Sequence, residues 1–301
     1  MATPLVSICI PAFQEPEYFL RCLQSIHIQD FQNFEIIVTD DSPTDSISKI
    51  CQKDVFQGRL KYFQNTQPLG SPENWNEGLR KASGKYIKIL HHDDWLAFPR
   101  SLGTLVSLLE DSPEADFAFS ATTSWFSEGK ICSHHQPTAA QLRDLEKDPR
   151  VLVFGNFIGA PSVTIHRRKE TAQYDSRLKW LVDSDLYMRI LQENRRFRFS
   201  PEYLVCTFVG GHNRVTHHCQ RNPDVELPEL GILWRKFFPK GDLSGFGLKP
   251  YLFWSKLLAR LDVISWNWIN KKTGKIDLPI QMWKTAKLLY PAFRLYYKVF
   301  Q

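Results

Sequence analysis

The chain has 301 residues, which is enough for one large domain or two small ones around a substantial apolar core. Hydrophobic residues make up 43% and charged residues 23% of the sequence, and this balance excludes an intrinsically disordered chain and a multi-span membrane protein. The formal net charge of +6 is modest, and because the basic residues form no compact patch or recognition motif, nucleic acid is not an expected partner.

The cysteines and the N-terminus bear on the cellular location. The cysteines are widely spaced without a Cys-x-x-Cys pair, and several lie in apolar stretches, so we interpret them as reduced core residues. Met1 to Pro4 leads directly into a strand pattern, without the charged leader and apolar region of a secretion signal. Apolar runs stay well below the roughly 18 uninterrupted residues of a spanning helix. We therefore expect a cytoplasmic protein.

Strands and helices alternate along the first third of the chain. Leu5 to Ile10 is a short run rich in Val and Ile between two prolines, which predicts a buried strand. Apolar residues at helical spacing follow Pro16 and predict the first helix. The same alternation predicts further strands at 34–38, 60–63 and 86–90, and further helices after Pro43, from Ser71 and after Pro99. This order is typical of an α/β fold with a mostly parallel central sheet flanked by helices.

The pattern becomes less regular after the first third. We predict strands at 117–122 and 163–166 and a helix at 183–192. A polar link after about residue 215 gives way to aromatic and basic segments, so we place a boundary near residue 220. Residues 1–220 are then the α/β domain, with halves at about 1–115 and 116–220, and residues 221–301 are a helical, aromatic and basic C-terminal extension.

Two acidic pairs follow predicted strands. Asp40-Asp41 ends the second strand, and His91-His92-Asp93-Asp94 follows the fourth. Ligands of open α/β sheets bind outside the carboxyl ends of the strands, so both pairs fall where a ligand is expected. Carboxylates accept hydrogen bonds from a nucleoside and bind hard divalent cations. Sugar transfer from a nucleoside diphosphate needs both, together with a separate carboxylate that deprotonates the acceptor, and Asp183 is distant enough in sequence for that role.

Six segments of the chain carry short motifs in a defined order and spacing. They are Val6-Ser7-Ile8-Cys9-Ile10-Pro11-Ala12-Phe13, Asp40-Asp41-Ser42-Pro43-Thr44-Asp45, Asn74 to Gly84 with Tyr86, His91 to Pro99, Gly159-Ala160-Pro161-Ser162 and Val182-Asp183-Ser184-Asp185-Leu186. In this order and spacing they resemble the motifs of the family 2 glycosyltransferases, and the similarity covers roughly residues 4 to 216.

The resemblance implies a GT-A fold, a nucleotide-sugar donor such as a UDP-sugar, a divalent metal (Mn²⁺ or Mg²⁺) and inversion at the anomeric carbon. It makes 1–115 the nucleotide-binding half and 116–220 the acceptor-side half, and it suggests a role in polysaccharide biosynthesis of the cell envelope. Matched residue by residue, it places Pro11, Ala12, Phe13, Glu15, Asp40, Asp41, Asn74, His212 and Arg214 around the donor, Asp93 on the metal, Asp183 as the base, and Pro161, Ser162 and Asp185 on the acceptor side. Asp41 is matched to support of the ribose or of the loop.

The chain departs from the family pattern at two positions. His91 stands where many members carry an aspartate, and Val182 replaces the usual acid before Asp183. A neutral imidazole offers one nitrogen and no negative charge, so His91 as a ligand would suit Mn²⁺ better than Mg²⁺. Ligation by His91 and a purely local hydrogen bond both remain open. These losses also motivate an alternative, a catalytically impaired nucleotide-sugar-binding or scaffold protein.

Asp183 opens a predicted helix, and two effects on its pKa oppose each other. The helix dipole favours the ionised form, whereas burial favours the neutral form. The sequence leaves the balance open, and we assign capping of this helix to Asp185.

The C-terminal aromatic and basic residues have two interpretations. They pack against the rest of the chain, or they form an interfacial surface beside a membrane that holds a lipid-linked acceptor. The second interpretation rests on Trp283, Lys284, Lys287, Leu288, Tyr290, Arg294, Tyr296, Tyr297 and Lys298.

The chain lacks the Gln-x-x-Arg-Trp motif of processive relatives. It also lacks, between Pro11 and Glu15, the Gly-rich loop of a sugar nucleotidyltransferase, which is the less favoured enzyme alternative.

Overall fold

The structure is a computed structural model. It describes residues 3–53, 55–126, 130–210, 219–220, 222–239 and 242–261, together with 269, 271–272, 284–285 and 287–293. His212 and Arg214 from the donor set lie outside the described residues, as do Trp283 and residues 294–298 of the C-terminal segment.

Strands and helices alternate through the first half of the chain as the sequence predicts. The first half contains β1 (Val6–Ala12), α1 (Pro16–His27), β2 (Phe34–Asp40), α2 (Ser46–Cys51), β3 (Leu60–Gln64), α3 (Glu73–Lys81), β4 (Tyr86–Ile89), β5 (Trp95–Leu96) and α4 (Ser101–Glu110). The second half contains β6 (Phe117–Trp125), β7 (Ile131–His135), α5 (Ala139–Lys147), β8 (Thr164–Arg167), α6 (Val182–Glu193), β9 (Phe197–Phe208), α7 (Pro223–Phe237) and α8 (Lys249–Leu261).

Among the described residues, the strands form one sheet in the order β3-β2-β1-β4-β8-β6-β9-β5, with β7 paired to β6. The first four strands of this order are parallel. Beyond β4 the sheet is mixed, because β8 runs antiparallel to both β4 and β6, while β9 is parallel to β6. The expected α/β architecture, a central sheet flanked by helices, is present. The sheet is mixed rather than mostly parallel, since periodicity in a sequence gives no strand direction.

The parallel half brings strand ends together at one edge. Every residue of β1 and β2 is buried, and the apolar runs Ile8 to Ile10 and Ile36 to Val38 lie side by side in the core of the sheet. Gly84 lets the chain enter β4 beside β1, because a Cβ there would lie 2.6 Å from the backbone nitrogen of Ser7. The loops after β1, β2 and β4 therefore share one end of the sheet.

The chain divides into two compact units. The first comprises residues 1–149, 157–176 and 186–212 and contains the whole sheet. The second comprises residues 150–156, 177–185 and 213–301, and so contains Asp183 and Asp185 with α7 and α8. The division at residue 220 into a catalytic domain and an extension stays a prediction.

Aromatic side chains form the core of the second unit. Trp234 and Trp254 are 1% and 2% exposed, and their ring centroids are 5.5 Å apart. Phe154 contacts Phe246 and Phe253 edge to face, at 5.2 and 5.6 Å between centroids. These aromatic residues of the second unit therefore pack against one another. Within the described residues, no helix combines the length and the apolar character needed to cross a bilayer.

Candidate active site

The loop after β4 brings three potential metal ligands together. One ligand atom from each of His91, Asp93 and Asp94 lies within 4.8 Å of the others. Two carboxylates and an imidazole are a donor set that suits Mn²⁺ well, and the carboxylates also suit Mg²⁺. The residues present therefore fit the divalent cation that the resemblance implies. Asp93 is the metal ligand expected from the sequence and His91 the candidate second ligand, and the geometry adds Asp94 to this set.

Contacts from distant elements fix this loop. The backbone N–H of Phe208, at the end of β9, donates to Asp94 Oδ1 at 3.0 Å. Arg21 donates to the carbonyl of Asp93 at 3.0 Å, and its guanidinium lies 3.7 Å from the ring centroid of Trp95. The cluster is thus held from β9 and α1 as well as from β4.

His91 is held through its backbone and its ring. Its N–H donates to Ser162 Oγ at 3.0 Å, and its ring stacks at a tilt on Trp75 with centroids 4.7 Å apart. His91 Nδ1 lies 3.9 Å from Asp94 Oδ2, so the imidazole faces the carboxylates. Ligation of a metal by His91 and a purely local role both stay predictions. The backbone contact ties Ser162 to the loop after β4, and its neighbour Pro161 is buried.

A lysine that sequence analysis did not single out is buried behind the cluster. Lys88 in β4 is 0% exposed, and its Nζ donates to the carbonyls of Ser162 and Thr164. Burial lowers the pKa of Lys88 to about 7, although the charge of Asp94 opposes this shift. The sequence signal that could have identified Lys88 is its place as the one charged residue inside the apolar stretch Tyr86-Ile87-Lys88-Ile89-Leu90.

The carboxylates after β2 are both engaged within the protein. Asp40 is 0% exposed, and it accepts hydrogen bonds from the Ser42 N–H at 2.8 Å and the Tyr62 hydroxyl at 2.8 Å. Asp41 accepts from Asn65 Nδ2 at 2.7 Å and from the backbone N–H groups of residues 69 and 70 at 3.0 and 2.8 Å. Of the two roles matched to Asp41, support of the loop is the one that these contacts fit. The base contact of Asp40 stays a prediction.

The loop after β1 has an unusual backbone conformation, and it lies next to the loop after β4. Gln14 and Glu15 have φ angles of 54° and 51°, in the left-handed region that non-glycine residues adopt at a cost of order 1–3 kcal/mol. The Gln14 N–H donates to Ser42 Oγ at 2.6 Å, and Phe13 is 42% exposed. Glu15 Oε2 lies 3.9 Å from Nε2 of His92. The strained turn therefore presents Phe13 and Glu15 beside the loop after β4.

The other predicted donor residues lie close to this turn. His92 Nδ1 lies 3.2 Å from the carbonyl of Pro11. Asn74 Nδ2 donates to the carbonyls of Thr39 at 3.1 Å and Ala12 at 3.4 Å, so it ties α3 to the ends of β1 and β2. Pro11, Ala12 and Asn74 thus share one end of the sheet with the metal cluster, and their contact with a nucleotide stays a prediction.

Asp183, the candidate base, lies in the first turn of α6, in the part of this helix that belongs to the second unit. The residue is partly exposed, but its Oδ1 atom is buried and accepts no hydrogen bond from the described part of the chain. Burial raises the pKa of this carboxyl to about 8. Of the two opposing effects that the sequence left open, burial outweighs the helix dipole. A carboxylate with this pKa is a far stronger base than an ordinary aspartate.

Asp185 is not free to cap the helix. Its carboxylate is 0% exposed and forms an ion pair with Lys236 Nζ at 2.6 Å. Its own N–H donates to the carbonyl of Leu181 at 3.1 Å, which is the first hydrogen bond of α6. The capping role that we assigned to Asp185 is therefore wrong, because its side chain points to α7. Its contact with an acceptor stays a prediction.

Similar structures share this architecture. Residues 1–349 of S. aureus TarS, in complex with UDP-GlcNAc, superpose with a TM-score of 0.61 at 18% identity, over 93% of this chain and 79% of the TarS 1–349 chain. The mannosyltransferase PcManGT from Pyrobaculum calidifontis, in complex with GDP-Man and Mn²⁺, gives 0.58 at 17% identity, over 99% of this chain and 84% of that one. The expected GT-A fold is confirmed by these neighbours.

Residues 7–216 match Glycosyl transferase family 2, and the chain belongs to this family. An uncharacterized protein of Mycobacterium tuberculosis is 30% identical over 207 residues, 63% of this chain and 63% of the relative. An uncharacterized glycosyltransferase of Methanocaldococcus jannaschii is 27% identical over 213 residues, 68% of this chain and 71% of the relative. The match to the Mycobacterium tuberculosis protein thus spans less than two thirds of that protein's length. The recognised family is confirmed.

Proposed function

We propose that this chain is an inverting, non-processive glycosyltransferase that moves a sugar from a nucleotide-sugar donor to a glycan or lipid-linked acceptor. The observation that carries the proposal is the cluster of His91, Asp93 and Asp94 at the carboxyl end of β4, within a family 2 fold. A bound divalent metal would offset the negative charge that develops on the departing diphosphate.

The chain's own residues supply the remaining chemistry. The acceptor hydroxyl attacks the anomeric carbon of the donor, and its proton passes to a carboxylate oxygen of Asp183. The bond between the anomeric carbon and the diphosphate oxygen breaks, and the diphosphate leaves with the electron pair. A single displacement of this kind inverts the anomeric centre. The raised pKa of Asp183 matches this role, because it brings the base close to neutral pH.

Relatives support the choice of substrates. TarS binds UDP-GlcNAc and PcManGT binds GDP-Man with Mn²⁺, and we propose a nucleotide sugar of the same kind here, with a UDP-sugar favoured. A Campylobacter jejuni relative, 36% identical over 115 residues, is a GalNAc(5)-diNAcBac-PP-undecaprenol beta-1,3-glucosyltransferase, which supports a lipid-linked acceptor in cell-envelope polysaccharide biosynthesis. A cytoplasmic location, with the C-terminal segment at the membrane surface, belongs to the same proposal.

Ligand-induced stabilisation tests the donor assignment. We expect one nucleotide sugar from a panel of UDP-glucose, UDP-N-acetylglucosamine and GDP-mannose to raise Tm in the presence of Mn²⁺, and to raise it less with EDTA. Saturation at 100 times Kd stabilises the folded state by about 3 kcal/mol. Release of nucleoside diphosphate and formation of the inverted product complete the assay. Binding without any turnover would favour the nucleotide-sugar-binding or scaffold protein, and formation of a new nucleotide sugar would favour the nucleotidyltransferase.

Replacing His91 tests its place in the metal shell. His91→Asp adds a charged oxygen ligand where an imidazole now lies, so we expect Mg²⁺ affinity to rise by roughly tenfold. Isothermal titration of Mg²⁺ and Mn²⁺ into the wild type and the variant measures the change. His92→Asp is the matched control, because it adds the same charge in the same loop at a residue that is not part of the cluster. Equal Mg²⁺ affinities of the wild type and His91→Asp would place residue 91 outside the shell.

A further inference from the structure

Helix α7 lies beyond the part of the chain that matches the family, and it makes unusual contacts with the segment before α6. Glu229 in α7 is 4% exposed. Its Oε1 accepts from the Lys179 N–H at 2.8 Å, and its Oε2 accepts from the N–H groups of Trp180 and Leu181 at 2.9 and 2.8 Å. One buried carboxylate thus binds three successive backbone donors immediately before α6, whose first turn contains Asp183.

The same helix holds the first turn of α6 by a second contact. Lys236 Nζ pairs with the fully buried carboxylate of Asp185 at 2.6 Å. A buried charge is stable only when it is paired, so this contact constrains Asp185 strongly. Asp183 lies between the two anchored stretches, two residues before Asp185 and two residues after Leu181.

Glu229 and Lys236 are seven residues apart, which is about two helical turns, so they share one face of α7. The helix itself is well fixed. Asn222 caps its N-terminus by accepting from the Asp224 N–H at 3.0 Å, and Trp234 packs against Trp254 in the aromatic core. A rigid helix with two charged anchors on one face sets the position of the segment 179–185.

We propose that Glu229 and Lys236 are positioning residues, through which α7 holds the Asp183 carboxyl in the orientation that proton transfer from the acceptor requires. This inference rests on the proposed function of Asp183 as the base. It gives α7 a role in the reaction. Neither residue touches the substrate; both act through the backbone and side chains of residues 179–185.

Activity variants test the proposal first. Using the full chain with Mn²⁺ and the panel sugar that turns over fastest, we expect Glu229→Ala to lower kcat by roughly 10- to 100-fold, because small displacements of a catalytic group are costly. The Kd of UDP with Mn²⁺ stays within about twofold of the wild-type value, because the residues assigned to nucleotide and metal binding lie outside the segment 179–185. Lys236→Met has a similar effect, and Lys236→Arg restores most of kcat. Asp224→Asn, an exposed position in the same helix, keeps wild-type kcat. Wild-type kcat in Glu229→Ala and Lys236→Met overturns the proposal.

A second measurement does not depend on catalysis. The unfolding midpoint is measured as a function of pH for the wild type and D183N, and again for E229A with and without D183N. The difference within each pair depends on pH to the extent that the Asp183 carboxyl is kept from water. We expect the pH-dependent part of this difference to shrink to less than half in the E229A background. E229Q keeps one acceptor oxygen and serves if E229A does not fold. An unchanged difference overturns the positioning role. If D183N retains turnover, the base assignment fails, while this readout still judges the contact between α7 and the segment.

Discussion

Replacement of Asp183 with Asn is expected to lower kcat by roughly 10³-fold or more, with the Kd of the donor nearly unchanged. The amide has nearly the same shape as the carboxyl but cannot accept the acceptor proton, so the variant removes the base alone. Other residues are assigned to donor binding, so binding of the diphosphate should be unchanged in this variant. Single-turnover kinetics with Mn²⁺ separates the chemical step from donor binding.

The neighbouring Ser184→Ala substitution is the matched control. Ser184 lies in the same helical turn and is 2% exposed, so its replacement disturbs the packing of that turn without removing a carboxyl. Its kcat should stay within about threefold of the wild type. If Asp183→Asn turns over as fast as Ser184→Ala, another residue is the base.

Asp183→Asn should also change how the free energy of unfolding depends on pH. Asp183 has a pKa of about 8 in the folded chain against 3.8 ordinarily, so between these values the folded state binds a proton that the unfolded state releases. The free energy of unfolding therefore falls as pH rises through this window, by at most about 1.4 kcal/mol per pH unit from this group. Asp183→Asn lacks this loss, so urea denaturation should show the variant gaining on the wild type between pH 5 and pH 8.

The wild-type rate should follow the same ionisation. Because the base must be ionised, kcat/KM is expected to rise with pH up to about 8 and then level off. A rate that is constant from pH 6 to pH 9 would argue that the carboxyl is already ionised at pH 6.

The parts of the fold that follow from local pattern were predictable. β1, α1 and β2 follow from uniformly apolar strands and a helical repeat between prolines, and the structure has them within a few residues. The cluster after β4 follows from two acidic residues at a strand end. In each case the determining residues are neighbours in sequence.

Features set by distant contacts were not predictable. The direction of β8 depends on pairing with β4 and β6, and no residue of β8 encodes it. The partner of Asp185 is Lys236, 51 residues away, so the nearer capping role was a reasonable but wrong choice. The pKa of Asp183 depends on its burial, which only the packed chain determines. Short edge strands such as β5 and β7 gave too little pattern to detect.

Replacement of Asp93 with Asn should have the second largest effect on transfer. Asp93 is one of two carboxylates in the cluster, and unlike Asp94 it is not among the most buried polar residues. The amide keeps the shape but loses the charge that a hard cation needs, so we expect Mn²⁺ affinity to fall by roughly 10- to 100-fold. At Mn²⁺ concentrations that saturate the wild type, kcat/KM should fall by roughly 10²-fold or more.

Comparison with Asp94→Ala separates the metal role from a structural one. Asp94 accepts the Phe208 N–H at 3.0 Å and is 3% exposed, so its removal leaves that donor without this acceptor and should cost about 1–3 kcal/mol of stability. Asp93→Asn should unfold within about 0.5 kcal/mol of the wild type, because the amide keeps the size and shape of the side chain at a partly exposed position. Manganese titration and urea denaturation of both variants give the two readings. If Asp93→Asn binds Mn²⁺ as tightly as the wild type, Asp93 is not a metal ligand, and Asp94 and His91 hold the cation.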